Sequence, residues 1–564
     1  MTKALGQYVI YQVYPKSFKD SDGDGHGDLR GVIEKLDYLA QLGIDMIWLN
    51  PFYPSPQKDN GYDISDYTAI DPRYGTMTDF EDLVDQAGQR GIGLMLDMPL
   101  NHSSIDHDWF QAALSGDEYY QDYYYIRPAK ADGSLPTNWA SKFGGPAWAP
   151  FAGEEGEYYL HLYDRTQADL NWHNPAVRHD LYDILRFWLA KGVKGFRFDV
   201  MNVIGKDEVL VDSTGGPGSS QEKRLYTDTE NAHRWVHEMN RASFGQNPDI
   251  ITVGEMSSTT IADGIRYTQP DQEKLDMIFS FHHLKVDYQD GDKWTTMPFD
   301  FMALKQILND WQRGMAAGQG WNALFFNNHD QPRANSRFGD PDNYPYETAT
   351  MLAQTIHLMR GTPYIFQGEE IGMTNPGFDH LADYRDVESL NYYQILRDQG
   401  LDDRQAMAII KEKSRDNSRT PMQWDDSDQA GFTTGQPWIK LADNYERINV
   451  AREVAQGKIF PYYQALIKLR HDLEIIQLGD YEGLLLDHPQ VLAYRRRLDD
   501  QELVVFSHFY PGQAEVNLNQ TDLNLNQAWT KLIGNGELNE LTSQFQLGPY
   551  ETVAFISGGP AVGS

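Results

Sequence analysis

The chain has 564 residues, with 48 Lys and Arg against 82 Asp and Glu and a formal charge of -34. Such a surface repels phosphate backbones and anionic bilayers, which argues against nucleic acid and membranes as partners. The absence of cysteine removes disulfide scaffolds, thiolate catalysis and zinc–thiolate sites. Hydrophobic residues at 40% and aromatics at 13% supply a large core. The opening residues 1–7 carry no long apolar run and no later stretch is long and apolar enough for a membrane span, so the expectation is a soluble, cytoplasmic, monomeric protein.

Short apolar runs recur at residues 8–13, 46–50, 94–97, 195–199, 251–255, 276–281, 323–327 and 363–366. Most are followed by a helical pattern: Leu29, Val32, Ile33, Leu36 and Leu39 recur at three- and four-residue steps, as do Val177, Leu181, Ile184, Leu185 and Trp188. Eight runs alternating with amphipathic helices predict an α/β fold, a (β/α)8 TIM barrel whose parallel sheet is covered on its outside. Two connections are longer than a barrel needs. Residues 103–171, rich in Tyr, Trp, Gly and Pro, read as a small domain inserted after strand three, and residues 367–459 form a second excursion before a helix over 462–469. From about residue 481, strands at 491–495, 503–507 and 552–556 predict a C-terminal antiparallel β-sandwich, with a loose tail over 558–564. The predicted organisation is a barrel over 1–102 and 172–478, an insertion over 103–171 and a sandwich over 479–564.

Polar residues gather at the C-terminal ends of these runs, where barrel enzymes place their chemistry. Asp97 leads on to Asn101 and His102; Arg197 and Asp199 end the fourth run, Glu255 the fifth, and Asn328, His329 and Asp330 follow the seventh. One Asp at a strand end is commonly a helix cap. Four carboxylates, two His and an Arg converging from four strands are not explained by capping. Residues 97–102, 195–199, 253–255 and 327–330 resemble four signature regions of the α-amylase superfamily, glycoside hydrolase family 13, and residues 167–171 resemble its fifth; Pro99 stands where that family usually has Val. The resemblance implies a retaining mechanism: Asp199 as the nucleophile of a covalent glucosyl intermediate, Glu255 as acid and then base, and Asp330 gripping sugar hydroxyls. It also implies that His102 and His329 hydrogen-bond hydroxyls near the charged centre. A retaining pair stands about 5–5.5 Å apart. Arg197 lies on the same strand face as Asp199 and suits the task of keeping it ionised, whereas Glu255 needs a desolvated or carboxylate-crowded setting to start protonated.

Residues 60–63 and 415–424 resemble marks of the exo-acting α-glucosidase, oligo-1,6-glucosidase-like subfamily. That resemblance implies that Asp63 and Arg415 clasp the terminal hydroxyls of a non-reducing glucose and that Tyr62 stacks on its face. Residues 141–145, 254–259 and 281–288 resemble the phosphotrehalase branch, which implies a phosphorylated disaccharide as substrate. Beyond the sixth run, His282, His283, Lys285 and Lys293 supply the cations a phosphate dianion requires. Composition alone favours a solvated loop in which Lys285 pairs with Asp287, Asp290 or Asp292, and it is the resemblance that implies phosphate binding; the alternative substrates are those of oligo-1,6-glucosidases or sucrose-isomerising relatives. Catalytically silent relatives that serve as transporter subunits lack these carboxylates and carry a membrane anchor.

A separate motif fills the first loop, where Asp20, Asp22, Asp24 and Asp28 alternate with glycines. Oxygen ligands so spaced fold around one hard cation. The motif resembles the calcium loop of oligo-1,6-glucosidase-like proteins, which implies side-chain ligands from the four Asp and a backbone carbonyl from His26. Calcium is expected, magnesium is the alternative, and the role is structural.

Overall fold

The computed structural model describes residues 4–153 and 156–558. Beyond Gly558, the predicted tail lies outside the described residues. All eight predicted barrel strands are present: β1 (Ile10–Val13), β2 (Met46–Leu49), β3 (Gly93–Pro99), β4 (Gly195–Asp199), β5 (Ile251–Met256), β6 (Met277–Ser280), β7 (Ala323–Leu324) and β8 (Thr362–Phe366). They pair in parallel in the order β6-β5-β4-β3-β2-β1-β8-β7. A parallel bridge between Ile278 and Asn322 joins β6 to the start of β7 and closes the barrel. Strands buried on both faces read as continuous apolar runs, which is why their pattern resembles no simple alternation.

The helices cover the sheet as their periodicity requires. Asn174 caps Pro175–Ala190, which buries Val177, Leu181, Ile184, Leu185 and Trp188. The pattern at 29–39 is split into Leu29–Glu34 and Leu36–Leu42, because Lys35 leaves helical geometry at φ -106°, ψ 6°. The insertion carries a three-stranded antiparallel sheet (Ile126–Pro128, Glu157–Leu160, Trp148–Pro150), and a short pair, His102–Ser104 with Gln167–Asp169, ties its two ends together. Its core of Tyr125, Trp139, Trp148, Leu160 and Leu162 is shared with Val200, Val203 and Tyr226 from the connection after β4. The excursion after β8 holds helices Val387–Asp398 and Asp403–Lys413, packed through Leu396, Ala406 and Ile410 against Trp294.

At the C-terminus a five-stranded antiparallel sheet in the order Asp480–Leu484, Val491–Leu498, Gln501–His508, Thr552–Ser557, Trp529–Gly534 faces a two-stranded ribbon, Ala514–Asn517 with Gln544–Leu547. Val504, Phe506, Val516, Leu547 and Phe555 fill the space between them. Lys305 of the barrel reaches into this unit, donating to the carbonyl of Leu485 at 3.1 Å. Among the described residues, no helix is long and apolar enough to cross a membrane.

Candidate active site

The register of the central strands brings the acids together. Asp97 lies opposite Arg197 on β3 and β4, and Phe198 opposite Gly254 on β4 and β5, so Asp199 and Glu255 emerge as neighbours at the barrel mouth. Arg197, 1% exposed, is the hub. Its Nη1 donates to Asp97 Oδ1 and Asp199 Oδ1, each at 2.7 Å, and its Nη2 donates to Glu255 Oε2. One guanidinium thus spans both catalytic carboxyls. That matches the close spacing of a retaining pair better than the ~6.5–9.5 Å of an inverting one. Burial pushes the Glu255 carboxyl well above its usual range; Arg197 opposes this and Asp199 adds to it, a shift towards the protonated form that an acid requires. After Asp199 the chain turns through Val200 at φ 39°, ψ 40°, a strained geometry for a β-branched residue, and Val200 lines the pocket.

A hydrogen-bonded chain fixes the next residues. Gln12 Nε2 donates to His329 Nδ1 at 2.8 Å, which leaves the Nε2 proton of His329 for Asp330 Oδ2 at 3.1 Å. Burial lowers His329 to about 4, so the ring is neutral near pH 7. Desolvation would raise Asp330, but His329, Arg415 and Arg419 hold it well below the usual carboxylate range. Tyr62 stacks on His329 with ring centroids 5.2 Å apart, and its hydroxyl donates to Asp97 Oδ2 at 3.0 Å. His102 lines the same pocket, 5.4 Å from the ring of Tyr163. Behind it, the fully buried Lys206 ammonium sits 2.7 Å from Asp169 Oδ2 and donates to Asn101 Oδ1 at 2.8 Å.

The expected partner of Arg415 is corrected. Asp63 is fully buried, and its carboxylate accepts from Ser55 Oγ and the Lys58 amide at 2.8 Å and the Asp59 amide at 3.2 Å, so it folds its own loop. Arg415 instead pairs with Asp59 at 3.0 Å and Asp330 at 3.3 Å, is held by Asp386, and rests on the Phe143 ring at 4.8 Å. Asn60 and Gly61, both at positive φ, reverse the chain and turn Asp59 inward. Asp59→Asn should therefore raise KM for a terminal glucosyl unit and lower kcat/KM about 10–150-fold, the loss of one charged hydrogen bond. Asp63→Asn should chiefly lower Tm, because its new amide donors face backbone N–H groups. Steady-state kinetics and melting curves on the two variants separate these outcomes.

The site encloses a cavity of about 210 Å³. Asp59, Asp199, Glu255, Asp330 and Glu388 line it, and so do Lys142, Lys285 and Lys293. Lys293 is neutralised by Glu388 at 2.7 Å. Among the described residues, neither Lys142 nor Lys285 is ion-paired with a carboxylate. Asp287, a candidate partner for Lys285, is taken by Arg337 and by Lys413, the latter at 2.8 Å. Burial and the nearby Lys223 lower Lys285 to about 8 and Lys142 to about 7. Two expected phosphate ligands are corrected: His282 Nε2 meets the Thr259 carbonyl and His283 Nε2 the Phe325 carbonyl, each at 2.7 Å, and neither ring lines the cavity. The short helix His282–Leu284 turns both rings to backbone carbonyls.

In the first loop, Asp20, Asp22 and Asp28 bring carboxylate oxygens within 4.8 Å of one another. Asp24 stands apart from this triad and accepts from the His26 amide at 2.7 Å. Gly23 at φ 87° and Gly25 at φ 95° curl the loop, and a Cβ on Gly25 would lie 1.9 Å from the Gln436 carbonyl. Three oxygen donors on a tightly wound loop fit a hard divalent cation.

The catalytic-domain model of the alpha-amylase family matches residues 12–479. Trehalose-6-phosphate hydrolase of Bacillus subtilis (strain 168) is 50% identical over 97% of this chain and 97% of its own length. Oligo-1,6-glucosidase of Parageobacillus thermoglucosidasius is 48% identical over 89% of each chain. The crystal structure of Bacillus licheniformis trehalose-6-phosphate hydrolase superposes with a TM-score of 0.93 at 50% identity, covering 98% of this chain and 100% of that one. With its closed barrel, its sandwich and its carboxyl pair bridged by Arg197, this chain belongs to the alpha-amylase family and is a glycoside hydrolase.

Proposed function

We propose that the enzyme hydrolyses trehalose 6-phosphate to glucose and glucose 6-phosphate. Asp199 attacks the anomeric carbon while Glu255 protonates the departing oxygen, giving a covalent glucosyl ester. Glu255, now a carboxylate, then takes a proton from water as it displaces Asp199, so configuration is retained. Arg197 steadies the carboxylates, and Asp59 and Arg415 hold the terminal glucose. The observation that carries the substrate reading is the pair of ammonium groups without a carboxylate partner, Lys142 and Lys285, on the wall of the cavity that also holds Asp199 and Glu255. Such a charge pattern suits a neutral glucosyl unit joined to an anionic one. Hydrolysis rates for trehalose 6-phosphate, trehalose and isomaltose test it. A preference for the phosphorylated sugar of at least about a hundredfold is expected from two charge-assisted contacts. Isomaltose as the best substrate would make the enzyme an oligo-1,6-glucosidase.

The cation at Asp20, Asp22 and Asp28 is proposed to be calcium, with magnesium as the alternative, and to act structurally by pinning the first loop. If it binds only the folded chain, excess chelator should lower Tm by ~2 °C, from mass-action stabilisation of about 2.7 kcal/mol at a hundredfold excess over Kd. An unchanged melting curve, with no bound metal by elemental analysis, defeats it. A sugar phosphate dianion does not cross a bilayer unaided, which favours a cytoplasmic enzyme.

A further inference from the structure

We propose that Lys16 is a positioning residue: its buried ammonium pins the turn at Asn60 and Gly61 to the end of β1 and so holds the Asp59 carboxylate against Arg415. The inference rests on the reading of Asp59 and Arg415 as the clasp of the terminal glucose, and adds the group that keeps Asp59 in place.

The loop that carries Asp59 has no regular structure of its own. Residues 50–76, between β2 and the helix Met77–Gln89, form neither helix nor strand, so side-chain contacts have to fix them. The Asp59 carbonyl accepts from the Tyr62 amide at 3.1 Å and closes a turn whose two central residues, Asn60 at φ 49° and Gly61 at φ 107°, are both left-handed. Gln57, just upstream, is a third left-handed residue at φ 64°. Asparagine tolerates that region better than glutamine does, and neither adopts it freely. Such a segment keeps its shape only where its neighbours over-determine it.

Lys16 supplies that constraint. Its Nζ donates to Asn60 Oδ1 at 3.0 Å and to Gln57 Oε1 at 3.1 Å, so one ammonium grips left-handed residues on both sides of Asp59. It also lies over the Trp438 ring, 4.0 Å from the centroid. Asn60 Nδ2 makes no hydrogen bond, which leaves the bond from Lys16 to orient that side chain. Lys16 is 6% exposed and, among the described residues, its ammonium is paired with no carboxylate. Burying an unpaired ammonium is unfavourable, and an apolar side chain would fill the space without that penalty. Packing alone therefore does not account for a lysine here.

The base from which it acts is rigid. Lys16 sits in the single turn Pro15–Ser17 that leaves β1, and its carbonyl accepts from the Gly27 amide at 2.9 Å. Next to it, Ser17 Oγ donates to the Arg419 carbonyl and accepts from the Trp438 indole N–H at 2.9 Å. The ammonium thus transmits the position of the barrel wall to an irregular loop. Asp59, between its two points of attachment, is the residue that reaches Arg415, at 3.0 Å. Lys16 itself does not line the cavity, so it acts through Asp59 and not on the sugar.

The test is a double-mutant cycle read with an aryl α-glucoside, whose glucosyl unit is the part that Asp59 holds. Lys16→Met, similar in length and uncharged, should raise KM about tenfold and change kcat by less than about threefold, the mark of a displaced binding group. In an Asp59→Asn background the same substitution should change KM by less than about twofold, because the group it positions is already disabled. Asn60→Gly cuts the link from the other side while keeping a residue that accepts positive φ. It should raise KM by a similar factor, and combining it with Lys16→Met should give far less than the product of the two effects. Melting curves accompany every variant, and Asn60→Gly carries the test should Lys16→Met fail to fold. A lower Tm without a change in KM, or the same KM factor in the wild-type and Asp59→Asn backgrounds, overturns the proposal. If Asp59→Asn raises KM and the cycle is additive, the clasp stands and Lys16 has no part in it. If Asp59→Asn leaves KM unchanged, the clasp reading falls and this proposal falls with it.

Discussion

Asp199→Asn should lower kcat by about 10⁴–10⁶-fold, because it removes a whole covalent step and leaves only positioning and electrostatics. The fold should survive. The substitution is nearly isosteric, and Arg197 keeps its hydrogen bonds to Asp97, at 2.7 Å, and to Glu255. Glu255→Gln should cost about 10²–10⁴-fold on a disaccharide, whose leaving oxygen needs a proton. It should cost far less in the first half-reaction of an aryl glucoside with an acidic leaving group. The two variants therefore differ in leaving-group dependence, which stopped-flow release of the aryl group reads directly. The wild-type rate should also fall as pH rises through the raised pKa of Glu255, since only the protonated form is the acid. That alkaline limb should vanish from aryl release in Glu255→Gln. Wild-type rates in either variant would remove the pair from its assigned roles.

Lys142→Ala and Lys285→Ala should each lower kcat/KM for trehalose 6-phosphate by about 10–150-fold, the value of a charge-assisted hydrogen bond, with the double variant losing most of the preference over trehalose. The effect has a pH signature of defined sign. Burial lowers the two ammonium groups to about 7 and about 8, and each binds an anion only when protonated. The second proton of a phosphate ester leaves at about pH 6. Preference should thus be strongest near neutrality and decline as pH rises through about 8, with a bound dianion shifting the decline upward. Relative kcat/KM for the two substrates across that range checks this. A preference that stays flat in pH, and is unchanged in both variants, would detach these lysines from substrate selection.

What the sequence revealed and what it hid have a common physical basis. Strand residues alternate rigidly, so Asp97, Arg197, Asp199 and Glu255 are legible in the sequence as one constellation, and the register brings them together. Loops carry no such period. Asp59 and Asp63 are both acids in one short segment, and only the left-handed turn at Asn60 and Gly61 decides which meets Arg415. His282 and His283 looked like anion ligands because charge was counted without direction; one helical turn spends them on carbonyls. Lys142 was hidden by distance, since it lies in the insertion far along the chain from Lys285. Its one signal was a lone Lys beside Phe143 within a segment already singled out for its resemblance.

The buried Lys206–Asp169 pair has a consequence for recombination among related enzymes. Asp169 belongs to the insertion, Lys206 to the connection after β4, and the two segments also share the apolar cluster of Trp139, Trp148, Val203 and Tyr226. A graft that exchanged residues 103–171 alone would risk stranding an ammonium group in a dry interior, a defect worth about 3–5 kcal/mol when a buried ion pair loses one member. Insertion and connection are thus one packing unit discontinuous in sequence, and a chimera that exchanges one should exchange both.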